Sequence, residues 1–150
     1  MVALTSPDRI PFLLPPLVLW EAVAAGEKIE MKADLDSVKG EKYIYLTTKG
    51  RKSGKPHTVE LWFALAGGKV YLSHEGERTD WMKNALKNER VGVKIGSLAF
   101  EAGAAVAPEG SESRESGKRA LYEKYYGPTS KEKIDDWFSL STLIELSPLS

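Results

Sequence analysis

The stretch from Thr47 to Lys55 reads TTKGRKSGK and combines two glycines with four positively charged side chains. Glycines let a loop turn several backbone N–H groups toward one point, and lysine and arginine add charge around that point. This combination favours a phosphate group as ligand, although a solvated basic hairpin loop is the alternative that these residues alone leave open. The predicted anion contacts in this stretch are Thr48, Lys49, Gly50, Arg51, Lys52, Ser53, Gly54 and Lys55.

This basic loop differs from the phosphate loop of nucleoside triphosphatases in two ways. The interval between Gly50 and Gly54 is one residue too short, and Pro56 follows Lys55 where that motif requires Ser or Thr. The segment after the loop also has the pattern of a strand, so no helix begins there to receive a triphosphate. We therefore expect neither ATP nor GTP.

Composition bounds the remaining chemistry. The chain has 150 residues, of which 42% are hydrophobic, and its 21 basic and 21 acidic residues cancel. One domain of this length buries a core, and the zero net charge argues against nucleic acid as a partner. Because there is no cysteine, disulfides and thiolate nucleophiles are excluded, and His57 and His74 lack carboxylates at ligand spacing. We expect no metal site.

Alternation of apolar and polar residues predicts the strands that position the basic loop. A Gly67–Gly68 turn joins the second strand to the third, and the simplest arrangement of these strands is a β-meander. Strands linked by short turns, with helices inserted, favour an antiparallel barrel over a doubly wound sheet. The predicted strands are Tyr43–Thr48, His57–Leu65, Lys69–Ser73, Val91–Ile95, Leu98–Ala107 and Thr142–Leu146.

Capping residues and helical spacing predict the helices. Thr79 is the expected N-cap of a helix that ends at Asn88, and Lys118–Tyr126 forms a second helix after a polar loop at Pro108–Gly117. Thr129 and Glu132 have the form of a capping box. The helix that they open carries Ile134, Trp137 and Phe138 on one face.

An apolar run from Ile10 to Ala25 precedes these elements. It contains three prolines and Glu21 and is too short to cross a bilayer, so we interpret Pro16–Ala25 as a short helix that covers a core or a subunit interface. A lid over an apolar substrate and a contact with a membrane surface stay open as alternatives. We expect a cytoplasmic protein.

Three blocks in order resemble the deazaflavin-dependent nitroreductase family of the flavin/deazaflavin split β-barrel superfamily. They are TTKGRKSGKP, HTVELWF before a Gly-Gly turn, and DWMKNALKN followed by VGVKIG. The resemblance implies a mainly β fold, a split β-barrel of six or so antiparallel strands in Greek-key order with three to four packed helices. It implies one domain over residues 1–150, with an N-terminal helix and connector at 1–40, core strands and a helix at 43–107, and C-terminal helices with a closing strand at 113–150.

The resemblance also implies a reductase that binds coenzyme F420, whose tail carries a phosphate and carboxylates. By this analogy the basic loop holds the phosphate, and residues of the later strands and of the helix start surround the deazaflavin ring. Those residues are His57, Val59, Glu60, Leu61, Trp62, Ser73, His74, Glu75, Arg78, Thr79 and Trp81. Glu60, an acid in an apolar strand, is expected to pair with Arg78, Lys55 or the cofactor.

The reaction that the resemblance implies is hydride transfer from reduced F420 to a small apolar or aromatic acceptor, namely a quinone, an enone or a nitroaromatic compound. Related enzymes use a tyrosine from the C-terminal half to orient or protonate the substrate, which makes Tyr125 and Tyr126 the candidate catalytic residues. FMN is the alternative cofactor, because the same loop suits its phosphate. A non-catalytic protein that binds a cofactor or a polyanion is the alternative of another class, and the sequence does not decide between a monomer and a homodimer.

Overall fold

The computed structural model describes residues 34–149, in which seven strands form one antiparallel sheet. The strands are β1 (Tyr43–Lys49), β2 (Pro56–Trp62), β3 (Ala64–Ala66), β4 (Lys69–Glu75), β5 (Arg90–Ile95), β6 (Leu98–Val106) and β7 (Ser141–Pro148). The helices of this range are α1 (Asp80–Lys87), α2 (Glu112–Tyr126) and α3 (Lys131–Trp137), and residues 34–37 are also helical. The predicted helix Pro16–Ala25 lies outside the described residues.

The order of the strands across the sheet is β2-β1-β5-β6-β7-β4-β3. The two edge strands, β2 and β3, are consecutive in the chain and are separated by Phe63 alone. The sheet therefore curls until its two edges meet at this residue, which gives the split barrel that the sequence predicted. Phe63 itself is fully buried.

The same arrangement corrects two predictions. The single strand predicted at His57–Leu65 is wrong at its middle, because the chain stops pairing with β1 at Trp62 and begins pairing with β4 at Ala64. The β-meander is also wrong, since β2 and β3 lie at opposite edges of the sheet. Alternation reports which side chains are buried and carries no information about which strand is the partner.

The main core lies inside the curled sheet. Ile44 and Leu46 of β1 are fully buried, as the alternation in that strand predicts. Helix α1 closes one side of this core with Met82 and Ala85, and Val59 and Leu61 of β2 pack against its edge. Each additional apolar side chain buried in this way contributes roughly 1.5–3 kcal/mol to stability.

A second apolar cluster lies where α2 and α3 pack on the sheet. Tyr71 and Leu143 come from the strands, and Leu121, Ile134 and Phe138 come from the helices. A helix must approach a sheet closely if the two are to exclude water between them. The cluster thereby fixes the positions of both C-terminal helices.

Helix α2 begins at Glu112, so the polar loop predicted at Pro108–Gly117 is wrong in its second half. Ser111 is the N-cap, and its hydroxyl group accepts a hydrogen bond from the N–H of Arg114. Gly117 weakened the helical pattern in the sequence, because glycine is a poor helix former. In the structure, however, a Cβ atom at this position would lie 2.5 Å from the ring of Tyr71. The glycine is present because the helix touches the sheet here.

Two further caps differ from the prediction in detail. Thr79 is the N-cap of α1 by backbone conformation, but its side chain makes no capping hydrogen bond. The cap of α3 is Ser130, whose hydroxyl group accepts from the N–H of Lys133, and not Thr129. Among residues 34–149 no helix is long and apolar enough to cross a membrane.

Candidate cofactor and substrate site

The basic loop joins β1 to β2 and is held by its own backbone. The N–H of Gly50 donates to the carbonyl oxygen of Lys55 at 2.8 Å, and the N–H of Gly54 donates to that of Gly50 at 2.9 Å. Gly54 has a φ of 74°, a conformation that glycine adopts without strain. Within residues 34–149, the N–H groups of Lys52 and Ser53 donate to no protein atom, so both are available to a ligand.

Helix α1 orients the loop through Asn84. Its side-chain oxygen accepts from the backbone N–H of Arg51 at 3.1 Å and from the guanidinium group of the same residue at 2.8 Å. The guanidinium group also lies 3.2 Å from the carboxylate of Asp80. Arg51 is therefore held against the N-terminal half of α1.

A cleft of about 690 Å³ lies between the loop, the start of β2 and α1. Seven of its lining residues were predicted as cofactor contacts: Gly50, Arg51, Lys52, Ser53, His57, Val59 and Trp81. Pro56, Thr58, Asp80 and Asn84 complete it. The volume falls within the range of roughly 300–1,000 Å³ that is typical of small-molecule sites.

The chemistry of this cleft suits a phosphate. A Cβ atom on Gly50 would lie 2.6 Å from the hydroxyl oxygen of Ser53 and 3.0 Å from Nε2 of His57, so the loop is closed as tightly as glycine permits. Asp80, the first residue of α1, lines the cleft, so the N-terminus of this helix also adjoins it. Cations, unpaired N–H groups and a helix N-terminus together provide the donors that a phosphate requires.

A second cleft of about 270 Å³ is lined mainly by aromatic rings. Its residues are Leu61, Trp62, Ser73, Leu121, Tyr122, Tyr125, Tyr126, Trp137 and Phe138. Strand β2 contributes to both clefts, since Val59 lines the first and Leu61 and Trp62 line the second. Both clefts therefore adjoin β2.

The two candidate tyrosines differ in their surroundings. The hydroxyl oxygen of Tyr125 accepts from the N–H of Phe63 at 3.0 Å and lies within hydrogen-bond distance of the carbonyl oxygens of Phe63 and Lys42. Burial raises the pKa of Tyr125 above its usual value. Tyr126 is 51% exposed, and its ring borders the aromatic cleft.

The remaining predicted residues line neither cleft. Glu60 lies on the other side of β2, where it accepts a hydrogen bond from the hydroxyl group of Tyr45 at 2.7 Å. Its partner is thus neither Arg78 nor Lys55, and this bond raises the pKa of Tyr45. The others in this group are Thr48, Lys49, Gly54, Lys55, His74, Glu75, Arg78 and Thr79.

Sequence reasoning missed several residues of the two clefts. Asn84 is a buried polar residue one helical turn after Asp80, and that spacing on an otherwise apolar face was the available signal. Tyr122 precedes Tyr126 by one turn of α2 and shares its face. Trp137 was assigned to the core face of its helix. No group of three or more metal-ligating side chains is assembled within residues 34–149.

Comparison with solved structures confirms the fold. A conserved hypothetical protein, Rv2991 from Mycobacterium tuberculosis, superposes with a TM-score of 0.63 at 19% identity, over 82% of this chain and 81% of the other. A putative pyridoxamine 5′-phosphate oxidase from Listeria innocua gives 0.58 at 18% identity, over 81% and 94%. An F420-H2 dependent reductase, FDR-A, gives 0.57 at 22% identity, over 71% and 94%. These likenesses show that the chain has the split-barrel fold.

The family itself follows from the sequence model of F420H(2)-dependent quinone reductases, which matches residues 24–131. Since this match covers well over half of the chain, the protein belongs to that family and is an F420-dependent oxidoreductase. The resemblance seen in the three sequence blocks is thereby confirmed. No curated protein matches the sequence.

Proposed function

We propose that the protein transfers a hydride from reduced F420 to a flat electrophilic acceptor, a quinone, an enone or a nitroaromatic compound, held in the aromatic cleft. The observation that carries this proposal is the presence of a cation-lined cleft and an aromatic cleft that both adjoin β2. The first cleft suits the anionic tail of the cofactor, and the second suits a flat acceptor.

The basic loop is assigned to the phosphate of the cofactor. Lys52 and Ser53 offer their backbone N–H groups, and the side chain of Lys52 offers charge. Lys49 and Lys55 lie at the two ends of this loop, where β1 ends and before β2 begins, and their charges suit the carboxylates of the tail. Val59, Leu61 and Trp81 then provide apolar contacts for the ring.

Bound in its reduced form, F420 would supply a hydride, which is two electrons and one proton. An acceptor quinone takes up this hydride and one further proton and becomes a hydroquinone. The protein has to hold the acceptor flat, exclude water around it and stabilise the negative charge that develops on its oxygen. No nucleophile is needed, in agreement with a sequence that contains no cysteine.

The two tyrosines are given different roles in this proposal. Tyr125 positions the site, because its hydroxyl group is occupied by backbone atoms of Phe63 and Lys42. Tyr126 keeps an exposed ring at the aromatic cleft and is the candidate to contact or protonate the acceptor. Replacement of Tyr126 by Phe should lower kcat and leave the affinity for F420 unchanged.

A titration tests the cofactor assignment. Purified protein is titrated with oxidised F420 and, in parallel, with FMN, and cofactor fluorescence is followed. We expect micromolar or tighter binding of F420 and, with its reduced form, turnover of menadione. FMN binding without F420 binding would favour the alternative cofactor, and binding of neither would refute the proposal.

The phosphate placement is tested by a double variant, Arg51→Ala with Lys52→Ala. The charge-assisted contact of Lys52 contributes roughly 1.5–3 kcal/mol and Arg51 holds the loop against α1, so the affinity for F420 should fall more than tenfold. The matched control, Arg119→Ala with Lys133→Ala, removes the same charge from α2 and α3, away from both clefts. Equal affinities of the two double variants would contradict the placement.

Three further properties of the protein are proposed. The contact of Pro16–Ala25 with a membrane surface concerns residues that the structure does not describe. A homodimer is proposed as one of two assembly states, to be measured by sedimentation. The cytoplasm is the proposed location, as the place where a reductase would meet its reduced cofactor.

A further inference from the structure

Helix α3 forms one wall of the aromatic cleft although little of it is buried in the core. Of its seven residues only Ile134 is buried. The family model ends at residue 131, so this wall is built almost entirely from a part of the chain beyond the family match. What holds α3 in place therefore decides the shape of the cleft.

An ion network attaches α3 to α2. The carboxylate of Asp135 accepts from the ammonium group of Lys118 at 2.7 Å and from that of Lys131 at 2.6 Å. Lys118 also lies 3.0 Å from the carboxylate of Glu115. Only 7% of Lys118 is exposed, and a buried ammonium group requires such partners.

The network stays charged over the physiological range. Hydrogen bonds from Lys118 and then from Lys131 lower the pKa of Asp135 to about 2. Burial lowers the pKa of Lys118, but its bonds to Asp135 and Glu115 outweigh burial and raise it. The attachment of α3 is thus independent of pH near neutrality.

The last residue of α3, Trp137, is 50% exposed, which is unusual for so large an apolar side chain. Its indole meets the ring of Tyr126 at a centroid distance of 5.0 Å and an angle of 61°, and that of Tyr122 at 5.8 Å and 83°. Both are edge-to-face contacts, which orient aromatic rings. Trp137 thereby forms a fixed edge of the cleft.

The cleft that results is small. Its volume of about 270 Å³ lies below the usual lower limit of roughly 300 Å³ for ligand sites, so it accommodates one flat ring system and little more. Trp62 and Tyr125 form a stacked pair in the same lining. The indole of Trp137 borders the cleft and is half exposed, so its truncation would open the cleft toward solvent without removing a core side chain.

We infer that Trp137 determines acceptor specificity by limiting the cleft to compounds with one or two flat rings, and that Asp135 is the positioning residue that holds this wall. The inference rests on the proposed function, since it concerns the acceptor of the same reaction. It adds the substrate size class and assigns both determinants to a helix outside the family match.

The test compares menadione with a phenyl-substituted naphthoquinone. For each variant, kcat/KM for the bulky quinone is divided by kcat/KM for menadione. Trp137→Ala should raise this ratio at least tenfold. Calorimetry without cofactor should show that the same variant binds menadione about fivefold more weakly. Affinity for F420 should be unchanged. The control Leu140→Ala removes an exposed side chain just beyond α3 that lines neither cleft, and it should behave as the wild type.

Asp135→Asn tests the positioning role against Asp136→Asn, which removes the same charge from the next residue. Asp135→Asn should raise the ratio of kcat/KM values, as Trp137→Ala does, through a change in KM. Asp135→Glu should restore most of the wild-type ratio. A wild-type ratio in both Trp137→Ala and Asp135→Asn would overturn the inference. If F420 does not bind at all, the proposed function fails, while the calorimetric preference between the two quinones still decides whether Trp137 sets the size of the cleft.

Discussion

The ring of Tyr125 lies parallel to the indole of Trp62, with centroids 4.0 Å apart and an interplanar angle of 5°. The hydroxyl group of the same tyrosine is bonded to the backbone of Phe63, where the two edges of the sheet meet. One side chain therefore joins the end of α2, the closing corner of the barrel and the wall of the aromatic cleft.

Removing this hydroxyl group should destabilise the protein while leaving the stacked rings in place. Tyr125→Phe leaves the N–H of Phe63 without its acceptor, and an unsatisfied buried donor costs about 1–3 kcal/mol. The free energy of unfolding in urea is the measurement. Tyr126→Phe, on the exposed neighbour, should change it by less than about 0.5 kcal/mol; an equal loss in both variants would show that the corner bond adds nothing.

Adding a methyl group at Gly50 should disturb the basic loop. The new Cβ atom would lie 2.6 Å from the hydroxyl oxygen of Ser53, so this side chain must move and lose its hydrogen bond from the N–H of Lys55, or the loop must open. Because the loop presents the N–H groups of Lys52 and Ser53, we expect Gly50→Ala to lower F420 affinity about tenfold, a change of ~1.4 kcal/mol. Gly40→Ala has open space around the new atom and serves as control; unchanged affinity in Gly50→Ala would count against the loop as the phosphate site.

A similar test applies to the contact of α2 with the sheet. Alanine normally stabilises a helix by up to about 1 kcal/mol relative to glycine. At Gly117, however, the Cβ atom would lie 2.5 Å from the ring of Tyr71, and overpacking costs typically 1–3 kcal/mol. Gly117→Ala should therefore lower Tm, and Ser116→Ala on the exposed face of the same helix should not; a higher Tm for Gly117→Ala would show that Tyr71 moves aside freely.

Lys124 should make stability depend on pH in the alkaline range. Its ammonium group donates to the carbonyl oxygen of Glu41 at 2.6 Å and lies 3.4 Å from the centre of the Phe63 ring. Burial lowers its pKa from 10.5 to about 8. Between these two values the unfolded chain binds more protons than the folded one, so this residue adds stability as the pH rises from about 8 to 10.5.

The measurement is the free energy of unfolding of the wild type minus that of Lys124→Met, followed from pH 7 to 10. The difference should move in favour of the wild type as the pH rises, because the cost of burying the charge is then removed. Lys39→Met, which removes an exposed lysine from a surface cavity that Lys124 also lines, should give a flat difference. A flat difference for Lys124→Met as well would show that its ammonium group is not desolvated.

The sequence alone determined which side chains of the first two strands face the core and which family the chain resembles. Alternation in β1 and β2 was sufficient to assign their inward side chains, because a strand places alternate residues on opposite sides whatever its partner. The basic loop was predicted as a phosphate site from its glycines and cations, because these residues are consecutive in the sequence. The family resemblance rested on three local blocks for the same reason.

Only the tertiary structure decided which strands are neighbours and which distant residues share a cleft. The separation of β2 from β3 at Phe63 depends on the curling of the whole sheet, and no local pattern reports it. Asn84 meets Arg51, and Trp137 meets Tyr126, across gaps in sequence that only the packing of helices on the barrel brings together. Side-chain type and spacing specify local chemistry, whereas contacts between elements depend on how their surfaces fit, and in this protein those contacts shape the aromatic cleft.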